Sequence, residues 1–218
     1  MQKGEKMLPY FLNKVNNSGI CVSYDETVDN PLLYDHILNY FTWGKKQNSI
    51  NDNNYNDFTD WFDSVTYKGK YKELLNEYGE DLKVFNIKLS NALSENGLFV
   101  LPITKDIENN EYSVEGNKHF VDSSIVGVAW ETKEHLCTHY GKTEFSHDFI
   151  EELMGLIKYD LDAYNGWVNG EVFIFRYFEN SEDDNETDAC FGSFGMRSNE
   201  EWLEDACSYF GLDKNEFI

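Results

Sequence analysis

Residues 143–178, TEFSHDFIEELMGLIKYDLDAYNGWVNGEVFIFRYF, decide the fold. Phe149, Leu153, Leu156, Ile157, Leu161 and Tyr164 recur at three- and four-residue steps, the spacing of one apolar stripe along an α-helix. Ser146 or Thr143 can cap its start. Asp148, Glu151 and Glu152 fall in the first turns, where the helix dipole favours anions. Asn165 and Gly166 offer a left-handed stop. Asp148, Glu152, Tyr159 and Asp162 lie off the stripe and are expected to face water. The period then changes. Residues 171–178 are rich in aromatic and branched side chains, which predicts a strand. Alternation puts Val172, Ile174, Arg176 and Phe178 on one face, and Phe173, Phe175 and Tyr177 on the other. Two such apolar faces predict a central strand.

Toward the C-terminus, residues 179–188 form a polar, acidic hairpin tip, and residues 189–194 return as the antiparallel partner. Gly192 and Gly195 suggest a bulge or a close backbone approach. Ser198 or Asn199 then caps a closing helix, with Trp202, Leu203, Ala206 and Phe210 inward. Glu200, Glu201, Glu204 and Asp205 crowd its outer side.

Toward the N-terminus, residues 132–140 read as a short helix and 125–130 as a buried strand. Residues 106–118 are a polar excursion. Residues 98–103 read as a strand, placed at a sheet edge by Pro102. Helices are expected at 71–78, 58–65 and 32–43, the last with Leu33, Ile37, Leu38 and Phe41 inward; residues 82–94 read as a further helix, or as a strand and then a turn because 84–89 alternate. Residues 20–24 alternate as a strand, and 10–15 read as a short helix or strand. The whole is an α+β fold, an antiparallel sheet packed with helices. A mostly helical N-terminal region, 1–96, gives way near Gly97 to an α+β domain, 97–218, unless the two are continuous.

Hydrophobic residues make up 41% and aromatics 16% of the 218 residues, enough for a packed core and unlike a disordered acidic tail. There are 40 acidic and 18 basic side chains, a formal net charge of −22. That balance opposes binding to a nucleic-acid backbone, which needs Lys and Arg to displace counterions, and it favours a basic partner or plain solubility. The charge is uneven: residues 144–218 hold 19 acids and 4 bases, net −15, and residues 1–143 hold 21 and 14, net −7. No run of the sequence approaches a membrane span or reads as a signal peptide, so a cytoplasmic protein is expected. Cys21, Cys137, Cys190 and Cys207 are widely spaced without a CxxC, which suits reduced thiols.

Three pieces of the second half carry a resemblance. They are residues 121–127 (VDSSIVG), 170–175 (GEVFIF) and 188–195 (DACFGSFG). Over roughly residues 97–210 the chain resembles an uncharacterised family of small phage and mobile-element proteins of Gram-positive hosts. Its members carry Trp-Asp-Ser-Gly-Gln-Val-Gly, a long helix, Gly-Asp-Val-Tyr-Gly-Tyr and Asp-Ser-Cys-Trp-Gly-Phe-Tyr-Gly. Here Ser124 and Ile174 stand where the family has glycine, Val121 and Phe191 where it has tryptophan, and Ala189 where it has serine. The resemblance implies a phage setting rather than a chemistry.

Individual residues give little sign of catalysis. His135, Cys137 and His139 would share a face on a strand, and on a helix the two histidines sit at i and i+4, but a structural zinc takes four ligands and no second cluster declares itself. Cys190 has no nucleophile-elbow or orienting motif around it and reads as a buried thiol. The acidic tip lacks the spacing of a calcium loop. No metal, no cofactor and no enzymatic reaction are therefore expected. The leading expectation is an acidic, phage-type inhibitor or decoy. It would bind a basic host protein, a nucleic-acid-handling defence or restriction component, as a nucleic-acid mimic. Carboxylates one helical turn apart stand about 6 Å apart, so a row of them resembles a line of phosphates. The candidate partner-binding residues are Asp148, Glu151, Glu152, Asp160 and Asp162 on the long helix. To these are added Glu182, Asp183, Asp184, Glu186 and Asp188 at the hairpin tip, and Glu200, Glu201, Glu204 and Asp205 on the last helix. Two alternatives stand beside it: a small-ligand binder or enzyme using a pocket near Asp122, Asp188 and Cys190, and a homo-oligomeric regulatory module.

Overall fold

The aromatic run of residues 172–178 is an inner strand, and the rest of its sheet follows from that. The computed structural model describes residues 8–33, 36–43, 55–114, 120, 124–182, 186–195 and 197–218. In chain order these form β1 (Tyr10–Leu12), β2 (Gly19–Tyr24), β3 (Asn39–Thr42), α1 (Phe58–Val65), α2 (Lys70–Tyr78), α3 (Leu82–Glu95), β4 (Leu98–Asp106), β5 (Glu111–Val114), β6 (Ile125–Thr132), α4 (Lys133–His139), α5 (His147–Val168), β7 (Val172–Phe178), β8 (Asp188–Phe194) and α6 (Asn199–Phe210). Short 3-10 turns lie at Pro31–Leu33 and Lys214–Glu216. The fold is α+β. Two compact units divide it: Met1–Pro31 with Ala163–Ile218, and Leu32–Asp162.

The first unit holds an antiparallel sheet in the order β1-β2-β7-β8. Val172, Phe173, Ile174 and Phe175 are all buried, as two apolar faces require. Phe173 and Phe175 meet Trp202, Ala206 and Cys207 of α6, together with Phe11, Ile20 and Val22. The Phe173 and Trp202 ring centroids lie 4.9 Å apart. Burying each such ring stabilises the unit by roughly 1.5–3 kcal/mol. The expected bulge is present. Pairing of β7 with β8 shifts register between Phe173 and Phe175, and Gly192 opposite has φ 75°, a conformation that glycine takes without strain. Ser198 caps α6 in a capping box with Glu201. The chain end is tied in by a bridge between Asn13 and Phe217.

The second unit holds an antiparallel sheet in the order β3-β6-β4-β5. Phe58, Trp61, Phe62, Leu74, Phe85, Leu89 and Leu93 of α1, α2 and α3 pack with Phe41, Leu98 and Val128 of the sheet. Asp57 and Asp81 cap α1 and α3 with their carboxylates. Along β3, Phe41 joins this core, while Tyr40, one residue earlier, turns to the opposite face and reaches α5.

Several expectations need correction. Residues 32–43 are not a helix: a 3-10 turn leads to β3, which pairs with Gly127–Trp130 of β6. The run Tyr40, Phe41, Thr42 is buried throughout, and so short a run buried on both faces carries no period that separates strand from helix. Pro102 does not mark an edge strand, because β4 lies between β6 and β5. Yet β5 pairs only with Ile103–Asp106, so Pro102 has no strand partner on that side among the described residues. Helix α5 does not stop at Gly166. It continues to Val168 and ends before Gly170, whose φ is 69°. Leu156 is 40% exposed, so the apolar stripe of α5 is narrower than its sequence suggests. The division expected near Gly97 falls inside the second unit, where Gly97, at φ 72°, turns α3 into β4. The polar excursion after residue 106 folds back as β5.

Candidate functional site

The acidic candidates fall on three elements. On α5, Asp148, Glu151, Glu152 and Asp162 are exposed, off the stripe that buries Phe149, Leu153, Ile157 and Leu161. Glu152 holds Lys142 at 2.7 Å. Asp148, Glu151 and Asp162 form no ion pair among the described residues. These acids belong to the second unit, because α5 enters the first only at Ala163.

Asp160 departs from the row. It is half-buried, and its Oδ2 accepts a hydrogen bond of 2.5 Å from the Tyr40 hydroxyl. His36 Nδ1 lies 3.1 Å from the same oxygen. Tyr40 is 3% exposed, and its hydroxyl is held far above the usual phenol range, by burial first and then by the Asp160 charge. Asp160 is thus a structural acceptor joining β3 to α5. No sequence signal pointed to it, since its partners lie 120 and 124 residues away, within a stretch that reads as helix.

In the first unit, the hairpin between β7 and β8 presents Glu182, Glu186 and Asp188 to solvent. Glu186 pairs with Arg176 at 3.2 Å. Asp183 and Asp184 lie outside the described residues. On α6, Glu200, Glu201 and Glu204 are exposed and Asp205 half-buried, while Trp202, Ala206 and Cys207 face inward. Three of the four have local partners. Glu201 accepts from the Ser198 backbone and hydroxyl, which holds its carboxyl below the usual range. Glu204 pairs with Lys214 at 3.1 Å, and Asp205 pairs with Arg197. Such exposed pairs are worth about 0–1 kcal/mol, so they exchange readily for a partner's cations. Arg176, Arg197 and Lys214 are the only bases in residues 163–218, against 13 acids.

The alternative pocket includes Asp122, which lies outside the described residues. Cys190 is half-buried, and burial together with the Asp188 charge pushes its thiol above the usual range. Burial pushes the Cys21 and Cys207 thiols up as well. A thiol kept protonated at neutral pH is a poor nucleophile. All four cysteines are free. His135, Cys137 and His139 sit on α4, where His135 faces Glu131 at 3.3 Å. Among the described residues no group of three or more His, Cys, Asp or Glu is placed to hold a metal ion, and no helix is long and apolar enough to cross a membrane. No family model, curated protein or solved structure matches the chain.

Proposed function

We propose that this protein works by binding rather than by catalysis. It is an acidic decoy that occupies the basic groove of a nucleic-acid-handling protein, a defence or restriction component of a host cell. One observation carries the reading. Helix α6 sets Glu200 and Glu204, and Glu201 and Asp205, one turn apart on its outer side while its inner side is locked onto the sheet. The carboxylates are therefore held in a row about 6 Å apart on a rigid support. The hairpin acids of the same unit add to the negative field, and the unit's few local cations sit in weak exposed pairs. Opposite charge focused on a basic cleft raises the association rate more than it slows dissociation.

The test is displacement of a labelled DNA duplex from bacterial restriction and DNA-repair enzymes, followed by fluorescence anisotropy. Wild-type protein is expected to displace the duplex from at least one such enzyme, with an on-rate that falls steeply with added salt. Lysine replacements at Glu200 and Glu204, or at Glu182, Asp183, Asp184 and Glu186, are expected to weaken displacement while the fold is retained. Replacements at Asp148, Glu152 and Asp162 test the α5 acids in the same way. Exposed acids of the other regions, Glu80, Glu95 and Glu108, serve as controls. If charge reversal at all three candidate sets leaves displacement and its salt dependence unchanged, the acidity is a solubility feature alone.

A further inference from the structure

The second unit contains a cavity of about 410 Å³ at the margin of its sheet. It opens where β4 runs beyond the end of β5, so its lining comes from both faces of the strand, Leu98 and Val100 on one and Phe99 and Leu101 on the other. Leu93 of α3 and Ile150 of α5 extend the apolar wall. This volume lies within the range of small-molecule sites, which pair apolar walls with a few placed polar groups.

The polar group here is a cation. Lys133 Nζ donates to Ser94 Oγ at 2.8 Å and lies 5.7 Å from the Phe145 ring centroid, and all three residues line the cavity. Acids outnumber bases 40 to 18 in this chain. Lys70, Lys142 and Lys214 each hold a carboxylate. Lys133 has no carboxylate partner among the described residues, and its contacts are a neutral hydroxyl and a ring. Lys88 and Lys105 also lack a carboxylate partner among the described residues and lie over tyrosine rings, so what singles out Lys133 is its place on a cavity walled by Leu93, Leu98 and Ile150, which suits an anion that arrives with an apolar body.

We infer that this cavity binds a small amphipathic carboxylate, its alkyl chain along Leu93, Leu98 and Ile150 and its carboxylate on Lys133 Nζ beside Ser94. The inference does not depend on the decoy reading.

Isothermal titration calorimetry of the full chain with decanoate, decanol and decyltrimethylammonium tests it. Decanoate is expected to bind at one site per chain and more tightly than either other probe. K133M is expected to weaken decanoate at least about tenfold, the loss of one charge-assisted contact, and to leave decanol unchanged. K133R is expected to keep most of the decanoate affinity, which separates a lost charge from a disturbed fold. S90W, at an exposed lining position of α3, narrows the cavity and is expected to weaken decanoate and decanol together, with a wild-type circular dichroism spectrum as the check on folding. The inference is overturned if wild-type protein shows no saturable decanoate binding at millimolar concentration. Equal binding of decanol and decanoate, or K133M binding like wild type, overturns it equally.

Discussion

At the scale of single residues, the most informative side chain is Asp160. Its place on α5 suggests one more surface acid, but its oxygen takes the hydroxyl of buried Tyr40 at 2.5 Å. Removing that acceptor leaves a buried donor unsatisfied, so D160A is expected to cost about 1–3 kcal/mol in urea unfolding. D162A, at an exposed position that forms no ion pair among the described residues, is expected to change stability by no more than about 0.5 kcal/mol. The pair also sets an alkaline limit. Tyr40 is raised above its ordinary value of 10.0 in the folded chain, so folding favours its protonated form. Its contribution is complete below pH 10 and is lost as the pH rises further, because the unfolded chain can then release a proton that the folded chain keeps. Stability is expected to fall above pH 10, and less steeply in Y40F, when urea midpoints are followed against pH.

At the scale of elements, close approach rather than helix propensity explains why a glycine stands inside α5. A Cβ added to Gly166 would lie 2.7 Å from the Gly195 nitrogen and 3.0 Å from Phe194 Cβ. The β8 end therefore packs against the helix at a position only glycine fits. G166A is expected to destabilise by about 1–3 kcal/mol, as overpacking does. Gly155, earlier on the same helix, has nothing within 4 Å of an added Cβ. G155A is expected to stabilise by roughly 0.5–1 kcal/mol through its helix propensity, which thermal melts of the two variants will separate. The elements also show which acids make poor controls for charge reversal. Asp57 caps α1, and Asp63 accepts from the Gly69 and Tyr71 backbones at 2.7 and 2.9 Å. Reversing these acids would disturb local structure whatever the surface binds.

At the scale of the molecule, a net charge of −22 makes the folded chain repel itself. Raising salt from about 10 mM to about 150 mM shortens the screening length from roughly 30 Å to roughly 8 Å. The melting temperature is expected to rise by about 2–4 °C, the equivalent of ~1 kcal/mol for a chain of this size. A fall over the same range would mean that the surface ion pairs outweigh the repulsion. The same salt series weakens the proposed partner complex, so stability and association are expected to move in opposite directions.

The amino-acid sequence by itself determined the elements whose period is long or whose punctuation is strong. The α5 stripe, the two-faced aromatic strand β7, a cap for α6 at Ser198 or Asn199 and the helices over residues 58–65 and 71–78 all follow from local spacing and caps. It also determined that an acidic excess lies in the last third, since charge is additive along a chain. Tertiary structure alone decided the rest. Strand β3 has no readable period, and its partner β6 lies more than eighty residues away. The fate of Asp160 depended on Tyr40, and the need for glycine at position 166 depended on Gly195. The cavity at Lys133 draws its walls from α3, β4, α4 and α5, so no contiguous stretch announces it. In each case the deciding contact joins residues far apart in sequence, and a local pattern carries no information about which distant side chain will arrive.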